Sequence, residues 1–153
     1  MKIKLSQLSK QILSFAIILL AFTTISKAEN PTKWQLLTEQ SGVQVYYRYE
    51  NCDDNVNDLH QQMAVLKFVN TTNQNITAEW DLEAWYNDVC TTCGKKDKEQ
   101  HFSTQLNAGE TKIGNFEKRG TQRELLIFAK FTNMDNKVKL TKFNLANLKI
   151  SIL

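Results

Sequence analysis

Apolar and polar residues alternate along most of the chain after residue 30, and this period of two predicts β-strands. In the clearest run, Ile76 to Tyr86, every even-numbered position is apolar or aromatic, and the odd-numbered positions carry a threonine, three acids and a tryptophan. Val43 to Glu50 alternates in the same way. A strand with one buried and one solvated face gives this pattern, whereas a helix would spread the acids around its circumference.

Two other segments, Met63 to Val69 and Leu125 to Phe131, are apolar at almost every position, which suits more central strands covered on both faces. Shorter patterns predict four more strands: Trp34 to Thr38, Phe102 to Leu106, Thr111 to Phe116, and Val138 to Ile152. The last run changes phase near residues 144–147, which predicts a bulge. About seven to eight strands separated by turn-forming residues predict an all-β fold, namely an antiparallel, immunoglobulin-like β-sandwich.

The first 28 residues differ from the rest of the chain and fit a cleavable signal peptide. Three lysines precede an apolar run from Ile12 to Phe22, and Ser26-Lys27-Ala28 supplies the small-x-small pattern of a cleavage site. The run is shorter than the roughly 20 residues that span a bilayer, so no permanent membrane span is expected. We predict a signal peptide over 1–28, one domain over 29–153, and export to the periplasm, the cell surface or the medium.

Removal of the signal peptide changes the charge balance. The whole chain has 19 Lys and Arg against 16 Asp and Glu, a net charge of +3. Four of these bases and none of the acids lie in the first 28 residues, which leaves 15 bases against 16 acids in the mature chain. A nearly neutral domain lacks the basic footprint of nucleic-acid binding, so no nucleic-acid partner is expected.

Two segments together resemble a family of small secreted bacterial immunoglobulin-like β-sandwich domains, for which no common function is established. They are the strand Ile76 to Asn87 (ITAEWDLEAWYN) and the turn Leu106 to Thr111 (LNAGET). The chain departs from antibody-type domains because it lacks their Cys…Trp…Cys spacing across the sheets. The resemblance implies a fold, and a fold alone does not determine function.

Strand order predicts which loops share an end of the sandwich, because consecutive antiparallel strands alternate in direction. On this basis two groups form: the loops 51–62, 87–101 and 117–124 at one pole, and the turns 39–42, 71–75, 107–110 and 133–137 at the other. The first pole then holds every cysteine and both histidines, so it is the place to look for a site. Binding contacts are predicted for six charged residues there: Asp53, Asp54, Asp58, Lys118, Arg119 and Arg123.

The three cysteines of an exported chain predict one disulfide and one remaining thiol. Cys52 can bridge to Cys90 or to Cys93, or the last two can bridge to each other, and the sequence leaves these pairings open. Zinc is an alternative, with Cys52, Cys90 and Cys93 as ligands and His60 or His101 as the fourth. A redox dithiol is disfavoured, because the helix N-terminus and βαβ unit that activate such a pair are missing from the pattern.

No catalytic motif is present: the chain has no Gly-x-Ser-x-Gly, no glycine-rich phosphate loop and no His-Glu-x-x-His. We therefore expect a non-enzymatic binding or accessory module without a cofactor, whose partner is a protein or a glycan. Two alternatives stay open. One is a zinc metalloprotein or hydrolase with its metal at the cysteine-bearing pole. The other is a structural subunit that donates its C-terminal strand, Val138 to Ile152, to a surface assembly.

Overall fold

Strands make up most of the folded chain, and no α-helix occurs among the residues described. The structure is a computed structural model that describes residues 32–94, 99–135 and 137–153. Its strands are β1 Gln35–Gln40, β2 Val43–Asp54, β3 Leu59–Asn70, β4 Ile76–Tyr86, β5 Val89–Cys90, β6 His101–Leu106, β7 Thr111–Ile113, β8 Leu126–Phe131 and β9 Leu140–Ile152. Two 3₁₀ turns, Phe116–Lys118 and Arg123–Leu125, lie between β7 and β8. The predicted signal peptide, 1–28, lies outside the described residues.

The strands form two sheets in which every pairing is antiparallel. In the first sheet β1, β2 and β3 lie side by side, and both β7 and β8 pair with the remaining edge of β3. In the second sheet β4 is central, with β9 along one edge and β5 and β6 along the other. The prediction of an all-β, antiparallel fold is confirmed.

The main core lies between the two sheets and explains the alternation in the sequence. The buried residues of β4 are those of its apolar face: Ile76, Ala78, Trp80 and Ala84. The Trp80 ring stacks on Phe68 of β3 with the ring centroids 4.9 Å apart, which joins the two sheets. Full burial of a side chain of this kind contributes about 1.5–3 kcal/mol. The two sheets therefore form a sandwich around one shared core.

A second, smaller apolar cluster lies on the outer face of the first sheet. Its buried members are Cys52, Met63, Val65 and Leu126, and Trp34, Phe116 and Phe128 pack against them. β3 is apolar on both faces because one face meets this cluster and the other meets the main core. β8 also buries residues on both faces, but it pairs only with β3 in the described part of the chain, so a central position is wrong for it.

The predicted bulge near the C-terminus is confirmed in β9. The register of β9 against β4 shifts between Glu79 and Asp81, and Asn147 has a φ of 54°. Asparagine adopts this left-handed conformation more readily than most residues. The strand itself begins at Leu140, two residues later than the sequence pattern suggested.

Backbone hydrogen bonds confirm three of the four turns predicted for one pole and correct the fourth. Thr71 N–H donates to Gly42 C=O at 2.8 Å and Gly109 N–H donates to Thr72 C=O at 3.1 Å. The turns 41–42, 71–75 and 107–110 therefore meet in what we call the turn pole. The turn 133–137 does not lie there. It is followed by Lys139, whose C=O accepts a hydrogen bond from Asn87 N–H at 2.9 Å at the opposite end of the sandwich.

The misplaced turn has a topological cause. β7 and β8 are both antiparallel to β3, so they run in the same direction and the chain does not reverse between them. The segment between them, residues 114–125, therefore leaves and rejoins the middle of a sheet edge and does not join strands of opposite direction, as the prediction assumed. It still reaches the predicted pole, because Arg119 in 117–124 lies 2.7 Å from Asp54 in the predicted pole loop 51–62. We call residues 114–125 the crossing loop.

Candidate binding cleft

The crossing loop is held closely where it leaves and rejoins the sheet. Gly114 N–H donates to Leu66 C=O at 3.0 Å, and a Cβ at Gly114 would lie 2.6 Å from the Leu125 carbonyl oxygen. Only glycine allows the two ends of the loop to approach so closely. Within the loop, Asn115 caps the first 3₁₀ turn by accepting a hydrogen bond from Glu117 N–H at 2.8 Å.

A cleft of about 320 Å³ lies between the crossing loop and the edges of the two sheets. Its lining consists of eight apolar or aromatic side chains and four polar ones: Met63, Leu82, Tyr86, Phe102, Phe116, Leu126, Ile127 and Phe128, with Gln61, Gln100, Arg119 and Arg123. Among the residues described, no aspartate or glutamate lines it. The cleft therefore combines an apolar interior with two cationic groups.

Tyr86 ties the two sheets together inside the cleft. Its hydroxyl donates to the backbone carbonyl of Phe128 at 2.7 Å. Burial raises the pKa of the Tyr86 phenol, so this group remains a neutral donor. The aromatic rings of Tyr86, Phe102, Phe116 and Phe128 are half-buried, which leaves part of each ring facing the cleft.

Arg119 is positioned by two contacts. Its guanidinium lies over the Phe116 ring, 4.5 Å from the ring centroid, and one nitrogen lies 2.7 Å from Asp54 Oδ2. The Asp54 carboxylate also accepts a hydrogen bond from the Asn57 amide at 2.8 Å. The hydrogen bond from Asn57 and then that from Arg119 lower the pKa of Asp54. The structure thus brings together two of the predicted contact residues, Asp54 and Arg119, as an ion pair.

Arg123 and Lys118 behave differently from Arg119. Both are exposed, and neither side chain makes a hydrogen bond or ion pair with any described residue. Arg123 lines the cleft, whereas Lys118 does not. Arg123 is therefore the cation at the cleft whose charge no described group balances.

The other two predicted acids lie around His60 near the end of the β2–β3 hairpin. His60 Nδ1 lies 2.8 Å from Asp53 Oδ1, and Nε2 lies 3.3 Å from Asp58 Oδ1. The hydrogen bond to Asp53 is the main reason that the pKa of His60 is raised. None of these three residues lines the cleft. The six predicted contact residues are thus divided between the cleft, the hairpin and the open surface.

A disulfide joins Cys90 and Cys93, so the predicted disulfide is present in one of the pairings that the sequence left open. The loop around it is attached to β4, because Thr91 N–H donates to Ala84 C=O at 2.9 Å and Ala84 N–H donates to Thr92 Oγ1 at 2.8 Å. Cys52 is the remaining thiol and lies in the outer apolar cluster. Burial, with the nearby charges of Glu50 and Asp53, raises its pKa to about 11.

The five residues of the zinc alternative are not gathered into one site. Two of them, Cys90 and Cys93, are bonded to each other, and His101 Nδ1 lies 2.8 Å from Asp81 Oδ1. Across residues 32–94, 99–135 and 137–153, no group of three or more His, Cys, Asp or Glu side chains is placed to hold a metal ion.

Several cleft residues escaped the sequence reasoning. Tyr86 and Phe102 belong to strand faces that predict core positions. The sequence does not show that Phe102, on the edge strand β6, and Tyr86, at the end of the central strand β4, are left half-buried. The sequence pattern predicts a strand through Phe116, but Phe116 lies in a 3₁₀ turn. One sequence signal does point to the cleft. Arg119 and Arg123 lie four residues apart just before the apolar segment Leu125 to Phe131, and both line the cleft.

No model of a known protein family, no curated protein and no solved structure matches this chain. Within the described residues, no helix is long and apolar enough to cross a membrane.

Proposed function

We propose that this chain is an exported, non-enzymatic β-sandwich module of immunoglobulin-like architecture, with a binding or accessory role at the cell surface or in the periplasm. The observation that carries the proposal is the cleft: an apolar interior with exposed ring surface and, at its rim, Arg123, whose charge no lining acid balances. Binding sites characteristically combine a mostly apolar concave surface with a few placed polar groups.

The lining favours a protein over a glycan as the partner. A sugar presents a hydroxyl on nearly every carbon, and each hydroxyl buried against an apolar wall without a partner costs free energy. An aliphatic or aromatic side chain of a protein instead replaces water at the rings of Phe102, Phe116 and Phe128. Interfaces draw most of their binding energy from such aromatic and arginine contacts.

Export is supported by the N-terminal pattern and by the disulfide. Disulfides persist in oxidising compartments outside the cytosol, and Cys90–Cys93 is one. Intact mass of the exported protein tests both points. We expect a chain that begins at Glu29 and that gains two hydrogens on reduction. A full-length chain recovered from the cytosol, with all three thiols reduced, would contradict the proposal.

The strand-donation alternative has less support in the structure. β9 pairs with β4 from Ile76 to Tyr86, the whole length of β4, and it supplies the buried residues Phe143 and Leu145 to the main core. Donation of β9 to a neighbour would remove from the donor both this strand pairing and these two core residues.

A neutral dye tests whether the cleft binds apolar groups. We expect Nile red to bind the mature protein with enhanced fluorescence, because the dye leaves water for the apolar lining. Gln100→Trp places an indole in the cleft and should remove most of this signal. Gln105→Trp is the matched control, since Gln105 is an exposed residue of β6 outside the lining. Equal dye binding by both variants would contradict a binding role for the cleft.

A further inference from the structure

We infer that the cleft accepts a segment of a partner protein in which an apolar side chain stands next to an aspartate or glutamate. This inference rests on the proposed function and adds the chemistry of the partner. The apolar residue contacts the rings in the cleft, and the neighbouring carboxylate pairs with Arg123.

The charges around the cleft support an acidic partner. Of the two arginines that line it, Arg119 already faces the carboxylate of Asp54 at 2.7 Å. Arg123 has no such partner among the described residues, and no acid lines the cleft beside it. A carboxylate placed there accepts charge-assisted hydrogen bonds from the guanidinium, whereas a basic segment is repelled.

The exposure of the rings supports a protein segment over a small enclosed ligand. Phe102, Phe116 and Phe128 are half-buried, so part of each ring stays accessible to solvent. An accessible surface of this kind suits a side chain that is carried on a backbone. We assign the acid that pairs with Arg123 to a side chain of the same segment, next to the apolar residue.

Four labelled peptides test the inference with the mature protein. They share one capped Gly/Ser frame and carry Phe-Glu, Phe-Gln, Ser-Glu or Ser-Gln at its centre, and binding is followed by fluorescence anisotropy. We expect Phe-Glu to bind most tightly. Because Arg123 is exposed, the advantage of Glu over Gln should be about threefold to fivefold at low salt and should shrink as salt is added.

Substitutions assign the preference to one side chain. Arg123→Gln should remove the preference for Glu, so that Phe-Glu and Phe-Gln bind equally. Arg123→Glu should reverse the preference, so that a Phe-Lys peptide binds better than Phe-Glu. Lys149→Gln is the matched control, because Lys149 is an exposed lysine of β9 outside the cleft lining, and it should keep the preference.

Each other outcome overturns a defined part of the argument. Equal binding of Phe-Glu and Phe-Gln overturns the inference and leaves the proposed function standing. Binding of decanoate with dependence on Arg123, without binding of any Phe peptide, overturns the inference in favour of a small amphipathic acid. A preference for a peptide with a free C-terminal carboxylate over Phe-Glu overturns the assignment to a side chain. Failure of both Nile red and all peptides to bind overturns the proposed function itself.

Discussion

The turn pole and the cleft lie on the same sandwich, but they differ in the burial and hydrogen bonding of their polar side chains. At the turn pole Asn70 is 1% exposed, and its Nδ2 donates to the carbonyls of Gln74 and Asn107, both at 2.8 Å. Its Oδ1 accepts hydrogen bonds from the backbone and the hydroxyl of Thr72. At the cleft, Arg123 is exposed and has no described partner.

The comparison separates a structural polar residue from one available for binding. A buried amide that uses its donors and acceptors internally joins two turns, 71–75 and 107–110, and has nothing left to offer a ligand. A cation beside half-buried rings keeps both its charge and its apolar surroundings for a partner. Substitutions at the turn pole should therefore change stability, and substitutions at the cleft rim should change binding.

The largest effect is expected from Asn70→Ala at the turn pole. It leaves two carbonyls without their donor and opens a small cavity, and we expect a loss of about 3 kcal/mol in the free energy of unfolding. Urea denaturation measures it. Asn73→Ala, at an exposed position of the same turn, should change stability by less than about 0.5 kcal/mol. If both substitutions lowered the free energy of unfolding equally, Asn70 would contribute no more to stability than an exposed residue of the same turn.

A substitution at the base of the crossing loop should affect both stability and the cleft. In Gly114→Ala the new methyl group would meet the Leu125 carbonyl oxygen at 2.6 Å, so the loop must shift. Overpacking of this kind costs about 1–3 kcal/mol. Since the same loop carries Phe116, whose ring lines the cleft, we also expect weaker Nile red binding. Thermal denaturation and dye titration measure the two effects.

Gly120→Ala is the control for that substitution. Gly120 is in the same loop, and a Cβ there would meet no atom within 4 Å. We expect unchanged stability and unchanged dye binding. A loss of dye binding in Gly120→Ala as large as that in Gly114→Ala would show that the conformation at the loop base does not set the cleft.

The sequence predicted the strands well because burial on one face imposes a period of two. The alternation in Ile76–Tyr86 and the bulge in β9 were both visible as patterns of apolar residues. Which loops share an end was not fully predictable. It depended on whether β7 and β8 run in the same direction, and that is decided by their shared pairing with β3, not by any local residue.

The candidate site was predictable only in part for a similar reason. Arg119 and Arg123 were identified because charged loop residues stand out in a sequence. The rings of Phe102 and Phe128 were not, because an edge position leaves a side chain half-covered, and the strand pattern is the same at the centre and at the edge of a sheet. The ion pair between Asp54 and Arg119 joins residues far apart in the chain, and no spacing rule reveals it.

The disulfide should contribute moderately to the free energy of unfolding. Cys90 and Cys93 are three positions apart, so their bond closes a very short loop and restricts the unfolded chain only a little. In the chain-entropy model we expect the double substitution Cys90→Ser with Cys93→Ser to cost about 1–2 kcal/mol. Urea denaturation with and without reductant measures it. Reductant should not alter the double variant, because Cys52 is its one remaining cysteine. A shift there would point to a disulfide between two molecules through Cys52.

The smallest effect is expected at His60, near the end of the β2–β3 hairpin and outside both the turn pole and the cleft. The experiment asks whether its pairing with Asp53 stabilises the folded protein. Asp53 raises the pKa of His60, so the pairing favours the folded state fully below the unfolded pKa of about 6.5 and is lost as the pH rises through the folded value. Asp53→Asn should lower the pKa of His60, which NMR titration of the ring protons measures. Asp135→Asn, at an exposed position of another loop, should leave it unchanged. If Asp53→Asn leaves the titration of His60 unaltered, the pair contributes nothing to folding.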